Sequence, residues 1–301
     1  MPPEKKLKIK KSGSGKSENF RATVREKILI KGTGIHSGGT AVLIIHPAES
    51  GSGLNFHVDG NKSNNVAVSP ENVINTNQAV TLGNGQDVVQ TIEHFLAALS
   101  VSGVSDADLE LNGNELPIMD GSAWPFYEAI QSVGLSYFSE PMIPIELSSP
   151  LWVVERDKYL VLLPETENKI TYSIDYDHPL LRNQSFSIGM NSENFAEEIL
   201  HARTFGFLRD IEAMREKGLI RGASLDNAIC LTEDGYMNES LRYENEFIRH
   251  KILDLLGDLY LLNRPVHGRI IASRAGHKMD VALALKISKI IGTSPPAETS
   301  G

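Results

Sequence analysis

The sequence predicts an α+β fold with two domains, and three features support this prediction. Each half of the chain is predicted as strands, then helices, then strands, which is an α+β pattern. A length of 301 residues suits one large or two medium domains. A break in the pattern at the sequence SSP, residues 148–150, separates the halves. We therefore predict domains at 22–149 and 150–291, flanked by tails at 1–21 and 292–301 that we expect to be disordered.

The first half contains the segments expected of one α+β domain. Apolar residues between 92 and 99 recur at the helical period and predict a helix, which Gly103 is well placed to end. A second helix is predicted from about 123 to 131. Strand-like or extended segments lie at residues 23–30, 41–45, 54–58, 66–80 and 108–111.

The second half has the same order of segments, although the two halves share too little sequence to demonstrate a duplication. A polar loop is predicted around residues 177–185. Strands are predicted at residues 151–163, 170–176, 228–231 and 268–273. Helices are predicted at residues 195–200, 210–217, 246–262 and from 275 onward.

The composition argues against several classes of function. The net charge is −9, and six lysines in the first twenty residues leave the rest of the chain still more acidic. Clustered Lys and Arg are needed for phosphate contacts, so we expect no nucleic-acid partner. Cys230 is the single cysteine, which excludes an internal disulfide and a cysteine-based metal site. No apolar run approaches the roughly 18 residues of a transmembrane helix.

The stretch EFIRHKILDLLGD, residues 246–258, combines an apolar helix face with a polar face rich in ionisable groups. His250 and Asp254 are four residues apart, so their side chains project from the same side of neighbouring turns. An imidazole and a carboxylate together suit zinc, with room for a third ligand and water. The alternative is a solvated face with an ordinary His–Asp pair.

A hydrolytic zinc site needs three protein ligands, an open position for water, a carboxylate base and an acid. Three separate elements of this chain supply such a set, in Glu93, His94, His250, Asp254 and His277. This is not the HExxH pattern, in which both histidines share one helix. Spacing alone leaves the assembly of these residues open.

Six motifs occur in an order that is similar to a known family. They are GIHSGG (34–39), TIEHFLAAL (91–99), ELPIMDGSAWPF (115–126), ARTFGF (202–207), LRYENEFIRHKILDLLGDLYLL (241–262) and AGH (275–277). Together they make the chain resemble the UDP-3-O-acyl-N-acetylglucosamine deacetylases, zinc amidases of lipid A synthesis, over about residues 22–290. The resemblance implies two similar α+β domains, each with helices layered against a β-sheet, and an active site between them.

The resemblance also implies roles for individual residues. His94, His250 and Asp254 correspond to the Zn²⁺ ligands. Glu93 resembles the general base that activates water, and His277 resembles the protonated group that steadies the oxyanion and protonates the departing amine. We expect their surroundings to keep Glu93 ionised and His277 charged, as an acid/base pair requires.

Further residues are assigned by the same resemblance. Asp258 resembles the carboxylate that orients His277, and Thr204 resembles a hydroxyl donor to the oxyanion. Lys251 is predicted to serve both catalysis and substrate binding. The remaining substrate contacts implied by the resemblance are Arg274, Phe205, Phe207, Ile211 and Ile220. For the two phenylalanines and Ile220 the alternative is plain core packing.

The expected function is zinc-dependent hydrolysis of the N-acetyl amide of UDP-3-O-acyl-N-acetylglucosamine, which releases acetate in the committed step of lipid A synthesis. We expect a cytoplasmic monomer whose partner is this small-molecule substrate. Two alternatives are a deacetylase of a different N-acetyl sugar and a non-catalytic sugar-nucleotide-binding protein of the same fold. The presence of Glu93 and His277 argues against the second, because a binding protein needs neither a base nor an acid.

Overall fold

The computed structural model describes residues 20–61 and 63–293. The predicted tails lie outside these residues, with two exceptions. Residues 20–21 begin the first strand, and residues 292–293 end the last helix. The first strand and the last helix therefore extend two residues beyond the predicted domain limits of 22 and 291.

The first half begins with a series of short strands, and its two α-helices come later in the chain. Its helices are α1 (Glu93–Ser102) and α2 (Trp124–Val133). Its strands are β1 (Phe20–Val24), β2 (Ile28–Thr33), β3 (Thr40–His46), β4 (Leu54–Val58), β5 (Asn65–Ala67), β6 (Val73–Asn75), β7 (Thr81–Gly83), β8 (Val88–Gln90), β9 (Ala107–Asn112) and β10 (Leu135–Pro141).

The second half has fewer strands and more α-helices. Its strands are β11 (Leu151–Glu155), β12 (Lys158–Leu163), β13 (Lys169–Ile174), β14 (Gln184–Gly189), β15 (Phe205–Phe207), β16 (Ile229–Leu231) and β17 (Arg269–Ser273). Its helices are α3 (Ser192–Glu198), α4 (Ile211–Glu216), α5 (Glu246–Leu259) and α6 (His277–Thr293).

Each half builds a five-stranded sheet, and the two sheets have the same topology. The strand orders are β2-β3-β9-β4-β5 and β11-β12-β17-β13-β14. In each sheet one pair is parallel, β4 with β9 and β13 with β17, and the other pairs are antiparallel. Helices α1 and α5 precede the corresponding strands β9 and β17, and α2 and α6 follow them. The predicted α+β fold with two similar domains is confirmed.

Helices α1 and α5 pack against each other, so equivalent helices of the two halves meet in the interior. Helix α5 also contacts α6 and strands of the second sheet. Every residue of α5 except Arg249 is buried, including the polar side chains of Lys251, Asp254 and Asp258. The alternative of a solvated polar face on this helix is therefore wrong. The polar face is buried because α1 of the first half and α6 of the second half both pack against α5.

Gly257 sets the close approach of α1 to α5. A Cβ atom at this position would lie 2.0 Å from the backbone oxygen of Glu93, the first residue of α1. Real Cβ atoms do not come so close to a backbone oxygen, so any larger residue would push the helices apart. The glycine thus fixes where Glu93 and the next residue, His94, lie relative to α5.

We expect Gly257→Ala to destabilise the protein by about 1–3 kcal/mol, because the added methyl group overpacks the helix contact. Gly292→Ala is the matched control. Gly292 is also helical, but it lies on the exposed end of α6, and a Cβ added there would have no atom within 4 Å. This change should therefore be neutral or stabilising. Chemical denaturation of both variants measures the difference, and equal stabilities would contradict the expectation.

Several predicted strands differ from the structure. Residues 23–30 are two strands of different sheets, because three exposed charged residues at 25–27 turn the chain between β1 and β2. Residues 151–163 form a hairpin whose turn includes Arg156 at φ 56°. The predicted polar loop at 177–185 was too long, since β14 begins at Gln184. Strand β10, which pairs with β1, was not predicted.

No helix within residues 20–61 and 63–293 combines the length and apolar character needed to cross a membrane.

Candidate active site

Three potential metal ligands meet where α1 packs on α5. His94 lies in the first turn of α1, and His250 and Asp254 lie one turn apart on α5. Asp254 Oδ1 is 3.7 Å from His94 Nε2 and 3.3 Å from His250 Nε2. The two imidazole rings stand at 85° to each other with centroids 4.9 Å apart. All three side chains are buried.

This cluster fits a metal ion by distance and by chemistry. Tetrahedral ligands at bond lengths of about 2.0–2.1 Å lie about 3.4 Å from one another, which is close to the separations in the cluster. Asp254 Oδ1 is buried and has no hydrogen-bond partner among the described residues. An orphaned carboxylate oxygen between two imidazole nitrogens is the arrangement that a divalent cation would satisfy.

The orientation of His250 is fixed from the opposite side of its ring. Its Nδ1 lies 3.1 Å from the backbone oxygen of Ala202. A carbonyl only accepts, so Nδ1 carries the proton and the Nε2 lone pair faces the cluster. The segment around Ala202 is held in turn by Arg203, which forms a buried two-pronged ion pair with Glu246, the first residue of α5.

The electrostatic setting favours neutral histidines and an ionised aspartate. Burial lowers the pKa of His94 to about 3, assisted by the nearby His250, and burial also lowers the pKa of His250. Burial alone would raise the pKa of Asp254, but its interactions with the His250 ring and with the Lys251 ammonium group outweigh burial and lower this pKa well below its usual range. Lys251 Nζ donates to Asp254 Oδ2 at 2.6 Å. Neutral imidazoles and a carboxylate are the protonation states that a metal requires.

Glu93 lies beside this cluster as the first residue of α1. Its Oε2 accepts a hydrogen bond of 3.0 Å from the backbone N–H of Val80. Burial raises the pKa of Glu93 to about 7, and the positive charge of His277 opposes that rise. Burial therefore favours the protonated form of Glu93 more than water does, and the ionised state expected from the sequence stays a prediction for the metal-loaded site. A nearby dication would lower this pKa.

His277 and Asp258 form a close ion pair between α6 and α5. His277 Nδ1 lies 2.7 Å from Asp258 Oδ2. Burial opposes the charge on His277, but Asp258 outweighs it and raises the pKa of His277 to about 10. The imidazole is therefore protonated at neutral pH, as expected from the sequence. The pKa of His277 thus lies above that of Glu93, so His277 is suited to donate a proton and Glu93 to accept one.

The His277–Asp258 pair makes a testable contribution to stability. The folded pKa of about 10 lies above the usual 6.5, so the contribution is fully present below pH 6.5 and is lost as the pH rises through 10. We expect His277→Gln to melt at a lower temperature than the wild type at pH 6, because Asp258 then stays buried without its cation. The difference in melting temperature should shrink toward pH 10. Melting curves at matched metal content test this, and a difference independent of pH would contradict it.

Comparison with known proteins identifies the family. Residues 21–289 match the family model of the UDP-3-O-acyl N-acetylglycosamine deacetylases. The chain is 49% identical over 266 residues to the UDP-3-O-acyl-N-acetylglucosamine deacetylase of Leptospira biflexa serovar Patoc. The matched region covers 88% of each protein. The chain belongs to this deacetylase family. Similar proteins of the same name occur in Myxococcus xanthus, with 41% identity over 86% of this chain and 83% of the relative, and in Geobacter sp. strain M21, with 38% identity over 90% and 89%.

Membership makes the protein an enzyme, a deacetylase of the hydrolase class. The other predicted site residues of this deacetylase differ in how near they lie to the buried cluster. Thr204 follows the Ala202-Arg203 segment, and its backbone bonds to Gly121 and Ile229 at 2.8 Å in each case. The Phe205 ring lies edge-on to His250 at 6.2 Å between centroids. Thr204 and Phe205 are half-buried, so both can border a ligand.

The remaining predicted contacts lie further out. Phe207 packs against Tyr176, with ring centroids 6.2 Å apart. Arg274 is paired with Asp157 and lies 3.3 Å from Asp175, so two carboxylates would compete with a substrate phosphate for its charge. Ile211 is half-buried at the start of α4, and Ile220 is buried with a left-handed backbone at φ 50°. The roles of these residues remain predictions.

Several supporting residues were not predicted from the sequence. Ala202 acts through its backbone oxygen, which no side-chain pattern reveals. Gly257 matters for the space around it, and its only sequence signal is a glycine inside an otherwise good helix. Arg203 and Glu246 lie 43 residues apart in the chain, so their pairing needed the fold.

Proposed function

We propose that the protein hydrolyses the N-acetyl amide of UDP-3-O-acyl-N-acetylglucosamine at a zinc ion held by His94, His250 and Asp254. The observation that carries this proposal is the convergence of three buried ligand atoms beside Glu93 and the His277–Asp258 pair. Two histidines and one carboxylate, with a further position for water, are a common zinc set in hydrolases. When bound, the zinc would supply a Lewis acid that polarises the amide and makes water easier to deprotonate.

The chain's own residues divide the remaining work. Glu93 removes the proton of the attacking water, because its buried carboxyl group lies next to His94 at the start of α1 and is within reach of a water held at the cluster. Protonated His277 steadies the negative charge that develops on the former carbonyl oxygen, and it then gives its proton to the leaving amine. Asp258 holds the His277 ring through Nδ1, which leaves Nε2 to face the substrate.

Lys251 and Thr204 support the same chemistry. Lys251 is buried, and burial alone would lower its pKa. The neighbouring Asp254 carboxylate outweighs burial and raises this pKa well above its usual range. The lysine therefore stays charged and keeps Asp254 Oδ1, rather than Oδ2, directed at the two histidines. Thr204 would donate its hydroxyl to the oxyanion, beside the segment that also fixes His250.

An acyl chain on the substrate would find apolar side chains in the segment around β15 and β16. Leu208, Leu225 and Met237 are large apolar residues that are exposed there, at 44–50% of their surface. Exposed apolar groups close to one another are typical of surfaces that bind apolar ligands. With Ile211 and Ile220 they would form the acyl-binding surface. We also propose that the protein acts as a monomer, because one chain supplies every residue assigned above. The proposed compartment is the cytoplasm, because the UDP-linked substrate would come from the cytosol.

The direct test is acetate release by the purified enzyme from UDP-3-O-acyl-N-acetylglucosamine, with UDP-N-acetylglucosamine as the comparison. We expect turnover that a chelator abolishes and added zinc restores. Turnover of the substrate that lacks the acyl chain at an equal rate would favour a deacetylase of a different sugar. Tight binding of both compounds without acetate release would favour a non-catalytic sugar-nucleotide-binding protein.

A further inference from the structure

A second buried carboxyl group lies behind His277 and has no role in the mechanism above. Asp280 is on α6, three residues after His277, and its side chain is fully buried. Neither of its oxygens has a hydrogen-bond partner among the described residues. An unsatisfied buried polar group is destabilising, so such groups are rare in folded proteins.

Asp280 lies next to the pair that orients the proposed acid. One ligand-type atom from each of Asp258, His277 and Asp280 lies within 4.8 Å of the other two. Asp258 Oδ2 is engaged with His277 Nδ1, but Asp258 Oδ1 is buried without a hydrogen-bond partner in the described part of the chain. Two adjacent carboxyl groups therefore each have an unsatisfied oxygen. Terminal carboxyl torsions are soft, so rotation of the Asp280 carboxyl group can turn one of its oxygens toward Asp258 Oδ1.

The charges around Asp280 favour its protonated form. Two buried carboxylates this close do not both ionise. Burial raises the pKa of Asp280 to about 8, and Asp258 adds to that rise while Lys251 and His277 oppose it. Asp254 on α5 also raises it. The hydroxyl of Tyr172 on β13 faces the same region and is neutral, since burial raises its pKa well above the usual value. At neutral pH Asp280 is thus a hydrogen-bond donor.

We propose that Asp280 is a positioning residue, whose protonated carboxyl group donates a hydrogen bond to Asp258 Oδ1 and thereby fixes the carboxylate that orients His277. The inference rests on the proposed function, because it supports the role of His277 as the acid. Asp258 would then be held at both oxygens, by His277 on one side and by Asp280 on the other. A carboxylate held at both oxygens cannot rotate away from the imidazole during turnover.

The experiment compares two variants of Asp280 in the metal-loaded enzyme. Asp280→Asn keeps a donor of the same size that cannot ionise, and Asp280→Leu keeps the volume but removes the donor. Leu283→Val, a mild packing change one turn further along α6, controls for general effects on this helix. We expect the Leu variant to lose on the order of 10–100-fold in kcat with little change in KM. The Asn variant and the packing control should stay within about twofold of the wild type, well below that range.

The dependence of kcat on pH distinguishes a positioning role of Asp280 from a merely structural one, because a structural role would not change this dependence. In the wild type Asp280 loses its proton as the pH rises through about 8, after which it repels Asp258 instead of supporting it. The basic limb of kcat should therefore move to higher pH in Asp280→Asn. An unchanged limb, an Asn variant as slow as the Leu variant, or a Leu variant with wild-type kcat would each overturn the proposal.

Carbon-13 NMR of the aspartate carboxyl groups provides a measurement that does not depend on activity or on folding of the Leu variant. The signal that disappears in Asp280→Asn should report a protonated group at pH 7, and an ionised group would overturn the proposal. A second bound metal ion per chain that is lost in Asp280→Asn would also overturn it. Absence of acetate release by the wild type would instead count against the proposed function, so the two failures are distinguishable.

Discussion

The Glu93→Gln protein should release acetate about 10²–10⁴-fold more slowly than the wild type, the range lost when a general base is removed. The amide of glutamine has nearly the same shape as the carboxyl group but cannot accept a proton from water. Glu93 contacts the backbone of Val80 and approaches Gly257, so the isosteric change should leave the helix contact in place. Steady-state kinetics measures the effect, which should appear in kcat.

Metal content separates this outcome from damage to the site. Because the amide does not disturb His94, the variant should retain as much zinc as the wild type. Glu128→Gln, the same chemical change on the exposed side of α2, is the control and should keep full activity. Glu93→Gln turnover within a few-fold of the wild type would assign the base to another residue.

Removal of one imidazole from the buried cluster should have the second large effect. Changes to residues that only support a metal ligand cost about 10–100-fold in metal affinity, and we expect His94→Ala or His250→Ala to exceed the upper end of that range. In either variant two ligand atoms remain, and Asp254 Oδ1 loses one of the nitrogens within 3.7 Å. Acetate release should fall with the metal content.

Elemental analysis after dialysis measures the bound metal and identifies it. His267→Ala is the matched control, because this imidazole is partly exposed and is not part of the cluster. Its Nδ1 lies 3.3 Å from Glu146 Oε1. It should retain the metal content of the wild type. Full metal retention in both His94→Ala and His250→Ala would refute the ligand assignment.

The predictions from sequence succeeded where local pattern determined the structure. Strand β4 has the predicted limits, and α1 ends at Gly103 with a left-handed backbone at φ 79°. The spacing of His250 and Asp254 also indicated that their side chains share one side of α5. Each of these features depends on neighbours within a few residues along the chain, which is the range that a pattern can report.

The sequence could not show what depends on contacts between the halves. The polar face of α5 has the pattern of an exposed surface, and its Asp254 and Asp258 are buried because α1 and α6 both pack against this helix. Burial also raises the pKa of Glu93, a shift that could not be predicted from the sequence either. The shared topology of the two sheets is equally hidden, because the same strand order is built from dissimilar residues.

Backbone strain is a further feature that the sequence conceals. Thr91 at φ 60° and Arg274 at φ 53° lie just before the segments that carry Glu93 and His277. A left-handed backbone is unfavourable for a β-branched residue such as threonine. Strained residues persist where the surroundings enforce them, often beside functional groups. Nothing in the types Thr and Arg announces this conformation.

The pairing of α1 with α5 limits how the enzyme can admit its substrate. The cluster takes His94 from one half and His250 with Asp254 from the other, so a hinge opening of the two halves would pull these three side chains apart. Substrate entry and product exit must therefore leave the contact between α1 and α5 in place. The geometry of the buried cluster and the access of substrate thus depend on different parts of the molecule. Substitutions in the exposed segments around the site can therefore leave the contact between α1 and α5 intact.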